Sequence, residues 1–320
     1  MKRILITGAS GFIGSFLVEA ALAKGWQTCA GIRSSSNKEY LQDKRIQFIN
    51  LNYADKEKLR EQINQQVFQY GAWDYVIHNM GITKSMNGDD FETVNYLYSK
   101  HLIEVLQESG NIPQKFVYIS TVGAHHSRVH TRYGESKLKT EKFLKSQTGF
   151  PYIILCPTGV YGPRDKEYYL ILKMLKSGFE IAAGFRSQEL SFVYVKDLAK
   201  AAILALESPI ENKSYSVSDG DNYSYFEYTR IAKEIMGKER TIRLRIPLFI
   251  LHALSIFSEK IAKRKNQTSI LNRDKYQILK QRDWTCNIFF IAKDLGFYAD
   301  YNLKQGLEES INWYRDNGWL

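Results

Sequence analysis

The sequence predicts a doubly wound α/β fold, a parallel sheet covered by helices on both faces, with a smaller C-terminal lobe. Through the first half, short β-branched runs alternate with longer stretches of helical periodicity. The first of these runs leads directly into a glycine-rich turn, ILITGASGFIG, that opens a helix. After PTGVYGPRD (157–165) the rhythm shifts to longer helical pieces, which points to a lobe set on the sheet rather than a continuation of it. Parallel sheets need helical crossovers and present ligand sites at the carboxyl ends of their strands.

Strands are expected at RILIT (3–7), QTCAGI (27–32), IQFINL (46–51), YVIH (75–78), KFVYIS (115–120) and YIILC (152–156), because each is short, β-branched or aromatic, and bounded by turn residues. Helices are expected over 11–24, 55–70, 89–109 and 133–147. Further on, SFVYVKDLAKAAILALES (191–208) and SYSVSDG (214–220) are expected to return to the sheet, and TIRLRI (241–246) to form a strand of the lobe. The division is therefore 1–162 with 190–220 for the sheet domain, and 163–189 with 221–320 for the lobe. The longest apolar run, IPLFILHALSIF (246–257), contains His252 and continues into SEKIAKRK. It reads as an amphipathic helix buried against the body or a partner, with contact to a membrane surface as the alternative.

At 320 residues, 44% hydrophobic and 24% charged, the chain can bury a sizeable core. No apolar run approaches the roughly 20 residues of a membrane span, and the apolar burst near the N-terminus is too short for a signal peptide. Cys29, Cys156 and Cys286 are scattered, which excludes a disulfide framework or a cysteine metal site and fits a cytoplasmic location. The net charge of +10 permits an anionic partner, but the only dense basic cluster is KIAKRK (260–265), more in keeping with a solvated helix face than with nucleic-acid binding. A phosphorylated small molecule is the expected anion.

The glycine turn defines the first candidate site. Gly8, Gly11 and Gly14 lie between strand and helix, with Ser10, Phe12 and Ile13 interleaved. Glycines there allow a tight turn, close backbone approach to a pyrophosphate and close helix packing, while the helix N-terminus supplies amide donors. The sheet domain is thus expected to be a Rossmann dinucleotide-binding domain. At the end of the second strand, where a carboxylate would hold an NAD ribose, the chain reads GIRSSSN. Ile32 takes that position, and Arg33 with Ser34 and Ser35 can bind a 2′-phosphate, which predicts NADP in preference to NAD. Stacking of Arg33 on adenine, which would serve either cofactor, is the alternative.

RYGESK places Tyr133 and Lys137 four residues apart on one helical face. An ammonium beside a phenol, helped by a positive nicotinamide ring, would lower the tyrosine pKa and make Tyr133 an acid or base for carbonyl–alcohol interconversion. Thr121, just past a strand end, can donate to the same substrate oxygen. Downstream of a nucleotide turn, this spacing is a specific signal.

The chain resembles the extended short-chain dehydrogenase/reductases, the NAD-dependent epimerase/dehydratase family, over nearly its whole length. TGASGFIG, DYVIHNMG (74–81), Asn95 in VNYLYSKHLIEVL, FVYIST, YGESK, PTGVYGPRD and FVYVKDLAKA match the family's landmarks in order. The resemblance implies Thr121, Tyr133 and Lys137 as the catalytic triad. It also implies a cofactor lined by Asn52, Tyr53, Asn79, Met80 and Gly81, with Pro157, Thr158, Gly159 and Val160 flanking the nicotinamide. Hydride transfer, a small-molecule substrate that includes nucleotide sugars, and a homodimer joined through the helices 89–109 and 133–147 follow from it as well.

Several positions depart from the family. Val122 and Gly123 replace the acidic pair that dehydratases carry after the threonine, which argues against sugar dehydration. Asn52 stands where an aspartate is usual, Met80 where a small residue is, Cys156 for arginine and Lys196 for aspartate. Only twelve positions separate Thr121 from Tyr133, which predicts an unusually open cleft at VGAHHSRVHTR. His125, His126 and His130 in that loop could ligate a metal, but adjacent histidines diverge and no Cys, Asp or Glu lies between them, so no metal site is expected. They read as exposed loop residues, with His125 and His126 as substrate contacts the alternative. Lys84, Arg164 and Arg186 are further candidates for an anionic substrate group, and Tyr161 and Phe192 for packing at the cleft or contact with substrate. His78 reads as packed or cofactor-adjacent. The activity expected is an NAD(P)-dependent oxidoreductase on a secondary alcohol or ketone; a nucleotide-sugar epimerase with tightly held NAD and a non-catalytic cofactor sensor are the alternatives.

Overall fold

A computed structural model describes residues 1–126 and 129–320 of the chain. β1 (Arg3–Thr7) passes through the glycine turn into α1 (Phe12–Ala23), followed by β2 (Gln27–Ile32) and β3 (Gln47–Asn50). α2 (Lys56–Tyr70), capped by the Asp55 carboxylate accepting from Lys58 N at 3.1 Å, leads to β4 (Tyr75–His78). The helix expected over 89–109 forms in three parts: α3 (Asp89–Phe91), a π-helical stretch over Glu92–Leu97, and α4 (Tyr98–Glu108). β5 (Lys115–Ile119), α5 (Arg132–Lys145) and β6 (Tyr152–Pro157) come next. Then follow β7 (Gly159–Tyr161), α6 (Glu167–Lys176), β8 (Phe179–Ala183), β9 (Glu189–Leu190), β10 (Phe192–Tyr194), α7 (Val195–Glu207) and β11 (Lys213–Val217). The remainder is β12 (Tyr223–Ser224), α8 (Tyr225–Met236), β13 (Ile242–Ile246), α9 (Leu248–Arg264), α10 (Arg273–Lys280), β14 (Asp283–Trp284), α11 (Phe289–Leu295) and α12 (Leu303–Asp316).

Seven of these strands form one parallel sheet in the order β11-β6-β5-β4-β1-β2-β3. The order reverses between β1 and β4, and that switch point opens a crevice at the carboxyl ends of the strands. The inner strands are buried on both faces, so their side chains divide by parity, while the edge strands β3 and β11 are partly exposed. Ile4 and Ile6 of β1 pack toward α1 and α7, and Leu5 packs with Val76, Tyr118 and Leu102 on the other side. α7 covers this sheet and β11 is its edge strand, while β10 pairs with β7 in a separate two-stranded sheet. A third cluster, rich in tyrosine, gathers Tyr161, Phe192, Tyr194, Tyr228 and Tyr314. There the Tyr314 hydroxyl donates to the carbonyls of Gly162 and Asp165 at 2.8 Å, tying α12 to the chain that leaves the sheet.

One expectation is corrected. The apolar run 246–257 does form a helix, α9, but only Leu251 and Ser255 of that helix are fully buried. Its inner side packs on α10, with the His252 and Tyr276 rings stacked at 4.7 Å, while much of its apolar surface faces outward. Periodicity marks an apolar face but does not say what covers it.

Candidate active site

The glycine turn is shaped by two close approaches. Gly8 holds φ +65°, and a Cβ there would stand 2.9 Å from the Asn79 carbonyl oxygen; a Cβ on Gly14 would stand 2.1 Å from the Gly8 carbonyl oxygen. At Gly8 the β1 turn and the β4 loop therefore approach backbone to backbone, and the amides at the head of α1 stand near the crevice. Gly14 itself lies beneath the turn rather than on the crevice wall.

The β4 loop is fixed by a buried relay. The amides of Asn79 and Met80 donate to Thr7 Oγ1 at 3.2 Å, so the Thr7 hydroxyl proton is directed to His78 Nδ1, 2.8 Å away. Ser99 Oγ donates to the Asn95 carbonyl at 2.7 Å and accepts from His78 Nε2 at 2.8 Å. Every polar atom of neutral His78 is matched, and burial, with the Lys137 charge adding, pushes its pKa down to about 3. Asn95, in the π-helical stretch, accepts from Ile82 N at 2.7 Å and donates to the Ile82 carbonyl and to Ser136 Oγ at 3.0 Å. It ties the loop 79–82 to α5, the helix that carries Tyr133 and Lys137.

Thr121, Tyr133 and Lys137 line one cleft of about 1730 Å³. Thr121 Oγ1 accepts from Gly123 N at 3.2 Å, which leaves its proton for another acceptor. Thr131 caps α5 by accepting from Gly134 N at 3.0 Å, fixing where Tyr133 stands. Lys137 Nζ donates to the Ile119 carbonyl at 2.9 Å and lies 3.5 Å from the Met80 carbonyl. The sequence-based pKa expectation is corrected for the protein alone. Burial, with the Glu167 charge adding, pushes Tyr133 up to about 12, and burial brings Lys137 down to about 8 against the opposing charge of Glu141. Without the cofactor, desolvation is the largest influence on the phenol.

One turn beyond Lys137 on the same face lies Glu141, fully buried, a residue that sequence reasoning missed although the four-residue spacing continues to it. Ser120 Oγ donates to it, His125 Nε2 lies 2.9 Å away and Lys145 Nζ 3.4 Å. Burial alone would raise its pKa, but the bonds from His125 and Ser120 hold the carboxyl below its ordinary range. Among the described residues, His125, Glu141 and Cys156 bring potential metal donors within 4.8 Å of one another. Burial pushes the Cys156 thiol well up, and the Glu141 carboxylate already accepts from Ser120 Oγ.

The cleft wall also holds Gly8, Ser10, Gly11, Phe12, Ile13, Arg33, Ser34, Asn52, Tyr53, Asn79, Met80, Gly81, Pro157, Thr158, Gly159, Val160, Lys84, Arg164, Arg186 and Phe192. Tyr161, His125 and His126 are not on it. Tyr161 is buried among Phe192 and Tyr194, with ring centroids at 5.9 and 5.5 Å. Arg164, at φ 73°, turns to α1, donating to Ser15 Oγ at 2.8 Å and Glu19 at 2.7 Å between the rings of Phe16 and Tyr40. Lys84 and Lys275 both close on Glu167, at 2.8 and 3.1 Å.

The expected opening beside the short loop is also corrected. The His126 ring packs 4.9 Å from Trp284, and its Nε2 lies 3.1 Å from the Asp283 carbonyl and 2.9 Å from Gln281 Nε2. β14, paired with β9, thus brings Trp284 over Gly123, the place the shortened loop leaves. Residues 127 and 128 of that loop lie outside the described residues. Ser36 was likewise missed: its Oγ accepts from Arg33 N at 3.0 Å, closing a turn that presents Arg33, Ser34 and Ser35 to the cleft.

A parallel sheet with a glycine-rich turn at its switch point defines a Rossmann-like dinucleotide-binding fold. Residues 4–218 match the NAD dependent epimerase/dehydratase family, and the chain belongs to that family of enzymes. It is 24% identical over 321 residues to a ceramide reductase of Caulobacter vibrioides, covering 99% of this chain and 96% of that protein. It is also 24% identical over 353 residues to a 3 beta-hydroxysteroid dehydrogenase/Delta 5→4-isomerase of Mycobacterium tuberculosis, covering 98% and 90%. Among solved structures, UDP-glucose 4-epimerase of Thermotoga maritima with UDP-glucose superposes with a TM-score of 0.77 at 21% identity, covering 98% of this chain and 99% of that one, and shares the fold. Among the described residues, no helix is long and apolar enough to cross a membrane.

Proposed function

We propose that the chain is an NADP(H)-preferring oxidoreductase that interconverts a secondary alcohol and a ketone on an apolar, lipid-like substrate. The observation that carries this reading is the wall of the cleft away from the glycine turn. It is lined by Ile181, Leu190, Phe226, Ile246, Leu251, Leu271, Ile278, Leu279 and Trp284. Three cations on the cleft wall are paired with carboxylates, Lys84 and Lys275 with Glu167 and Arg164 with Glu19, which leaves fewer for the diphosphate that a nucleotide-sugar epimerase must hold. The similarity to a ceramide reductase and a hydroxysteroid dehydrogenase, both named for apolar substrates, points the same way.

In this reading the glycine turn and the head of α1 hold the pyrophosphate, and Arg33, Ser34 and Ser35 meet the 2′-phosphate. Nicotinamide, when bound, supplies or accepts the hydride. Thr121 orients the substrate oxygen through its free hydroxyl proton, and the Tyr133 hydroxyl gives or takes the proton on that oxygen. Lys137 steadies the phenolate and anchors the ribose. The C-terminal elements form the substrate lobe, and the enzyme works in the cytoplasm. The dimer joins α4, α5 and the π-helical stretch, where Leu97 is exposed and the rings of Tyr96 and Phe143 meet at 6.4 Å.

The test is turnover of long-chain and steroid ketones with NADPH and NADH, beside a panel of nucleotide sugars. Net NADPH consumption with an apolar ketone, and tighter binding of NADPH than NADH, are the expected results. Copurifying NAD with conversion of a nucleotide sugar and no net turnover would overturn the reading.

A further inference from the structure

The outward face of α9 is left apolar. Phe249 is 74% exposed and Phe257 63%, with Ile250, Leu254 and Ile261 exposed beside them. At 100° per residue these side chains fall within one half of the helix, opposite Leu251 and Ser255, which pack inward. Scattered exposed apolar residues need no explanation, but a stripe along one helix does.

Two further observations say what covers it. The stripe ends in Lys260, Lys263, Arg264 and Lys265, all exposed, on a chain of net charge +10. The acid among them, Glu259, pairs with Arg273 of α10 at 3.4 Å. In addition, the stripe borders the mouth of the cleft. Leu251 of α9 and Ile270, just beyond its end, line the cleft wall, and Ile270 is 67% exposed to the outside.

We propose that α9 seats this protein on an anionic lipid surface, its apolar stripe entering the headgroup region and its basic end meeting lipid phosphates. The cleft mouth then opens at the bilayer. This deepens the proposed function and rests on it for the origin of the substrate, while the surface attachment itself stands on α9 alone. An anionic bilayer complements both features, the apolar stripe and the basic end. Attachment is peripheral: the stripe lies along the helix rather than around it.

Vesicle flotation of the full chain tests this, with vesicles of phosphatidylcholine alone and vesicles also containing phosphatidylglycerol. The wild type is expected to float with the anionic vesicles and to be released by salt. Phe249→Ser with Phe257→Ser is expected to weaken binding by at least about tenfold. Replacing Lys263 and Arg264 by Gln should weaken it by about fivefold per charge. Circular dichroism and the Kd for NADPH should not change in either variant, which separates lost attachment from lost folding. Flotation that is absent, or equal for wild type and the Phe249→Ser/Phe257→Ser variant, overturns the proposal. So does a wild-type oligomer in sedimentation that this variant alone dissolves, because a second copy then covers the stripe. Salt-sensitive flotation combined with turnover of water-soluble nucleotide sugars alone would leave the attachment standing and overturn the apolar-substrate reading instead.

Discussion

At the glycine end of the cleft the wall is largely main chain, whereas at the far end it is apolar side chain, and the two ends recognise by different physics. Near the turn, Gly8, Asn79 and Gly14 approach through backbone, and the relay from Thr7 through His78 and Ser99 to Asn95 leaves no polar atom unmatched. A shift there breaks several hydrogen bonds at once. At the far end, Leu251, Leu271, Ile278, Leu279 and Trp284 offer non-directional contact, which tolerates changes of shape. In the proposed function, a fixed cofactor site joined to an adaptable apolar slot would accommodate substrates that differ mainly in their hydrocarbon.

The sharpest way to break the comparison is Tyr133→Phe, which keeps the ring and removes the proton. Turnover should fall about 100- to 10,000-fold with folding intact, and an unchanged kcat on an established substrate would remove Tyr133 from the chemistry. Next comes Gly8→Ala. The left-handed backbone and the contact with the Asn79 carbonyl should cost about 1–3 kcal/mol of stability, read as a lower Tm together with weaker NADPH binding. Leu279→Ala, at the far end, should raise KM for an apolar ketone roughly tenfold while leaving the Kd for NADPH alone. If both parameters moved together, the two ends would not be separable.

The smallest effect is a pH dependence. Lys137 has a folded pKa of about 8, below its ordinary 10.5, so the folded protein gives up this proton as pH rises through about 8 while the unfolded chain keeps it. The charge therefore costs stability below that pH, and the cost is relieved as pH rises from about 8 to 10.5. Cofactor affinity should run the other way, weakening several-fold between about pH 7 and about pH 9 as the ammonium is lost. Titrating Kd for NADPH and Tm in parallel checks both signs.

Much of this was legible in the residues. The strands β1 to β6 fall within about a residue of the runs that predict them, the inner ones because a strand buried on both faces is largely apolar, and the edge strand β3 through its short β-prone run. The helix over 89–109 was legible as a helix but not its π-helical register at Glu92–Leu97, in which Asn95 reaches both Ile82 and Ser136. Arg164 and the histidines 125 and 126 looked available in the sequence. Their partners, Glu19, Glu141 and the chain at 281–284, are far enough along it that no spacing could announce them.

By itself, the sequence determined the parallel sheet and the glycine turn, which follow from short-range rules of periodicity and backbone freedom; helical spacing put Tyr133 and Lys137 on one face, and the family resemblance added Thr121 to them. Only the tertiary structure decided which cations stay committed to carboxylates, how Trp284 covers the place of the short loop, and that α9 turns its apolar stripe outward. Those outcomes depend on which distant surfaces meet, and burial and charge pairing are properties of the meeting rather than of either segment.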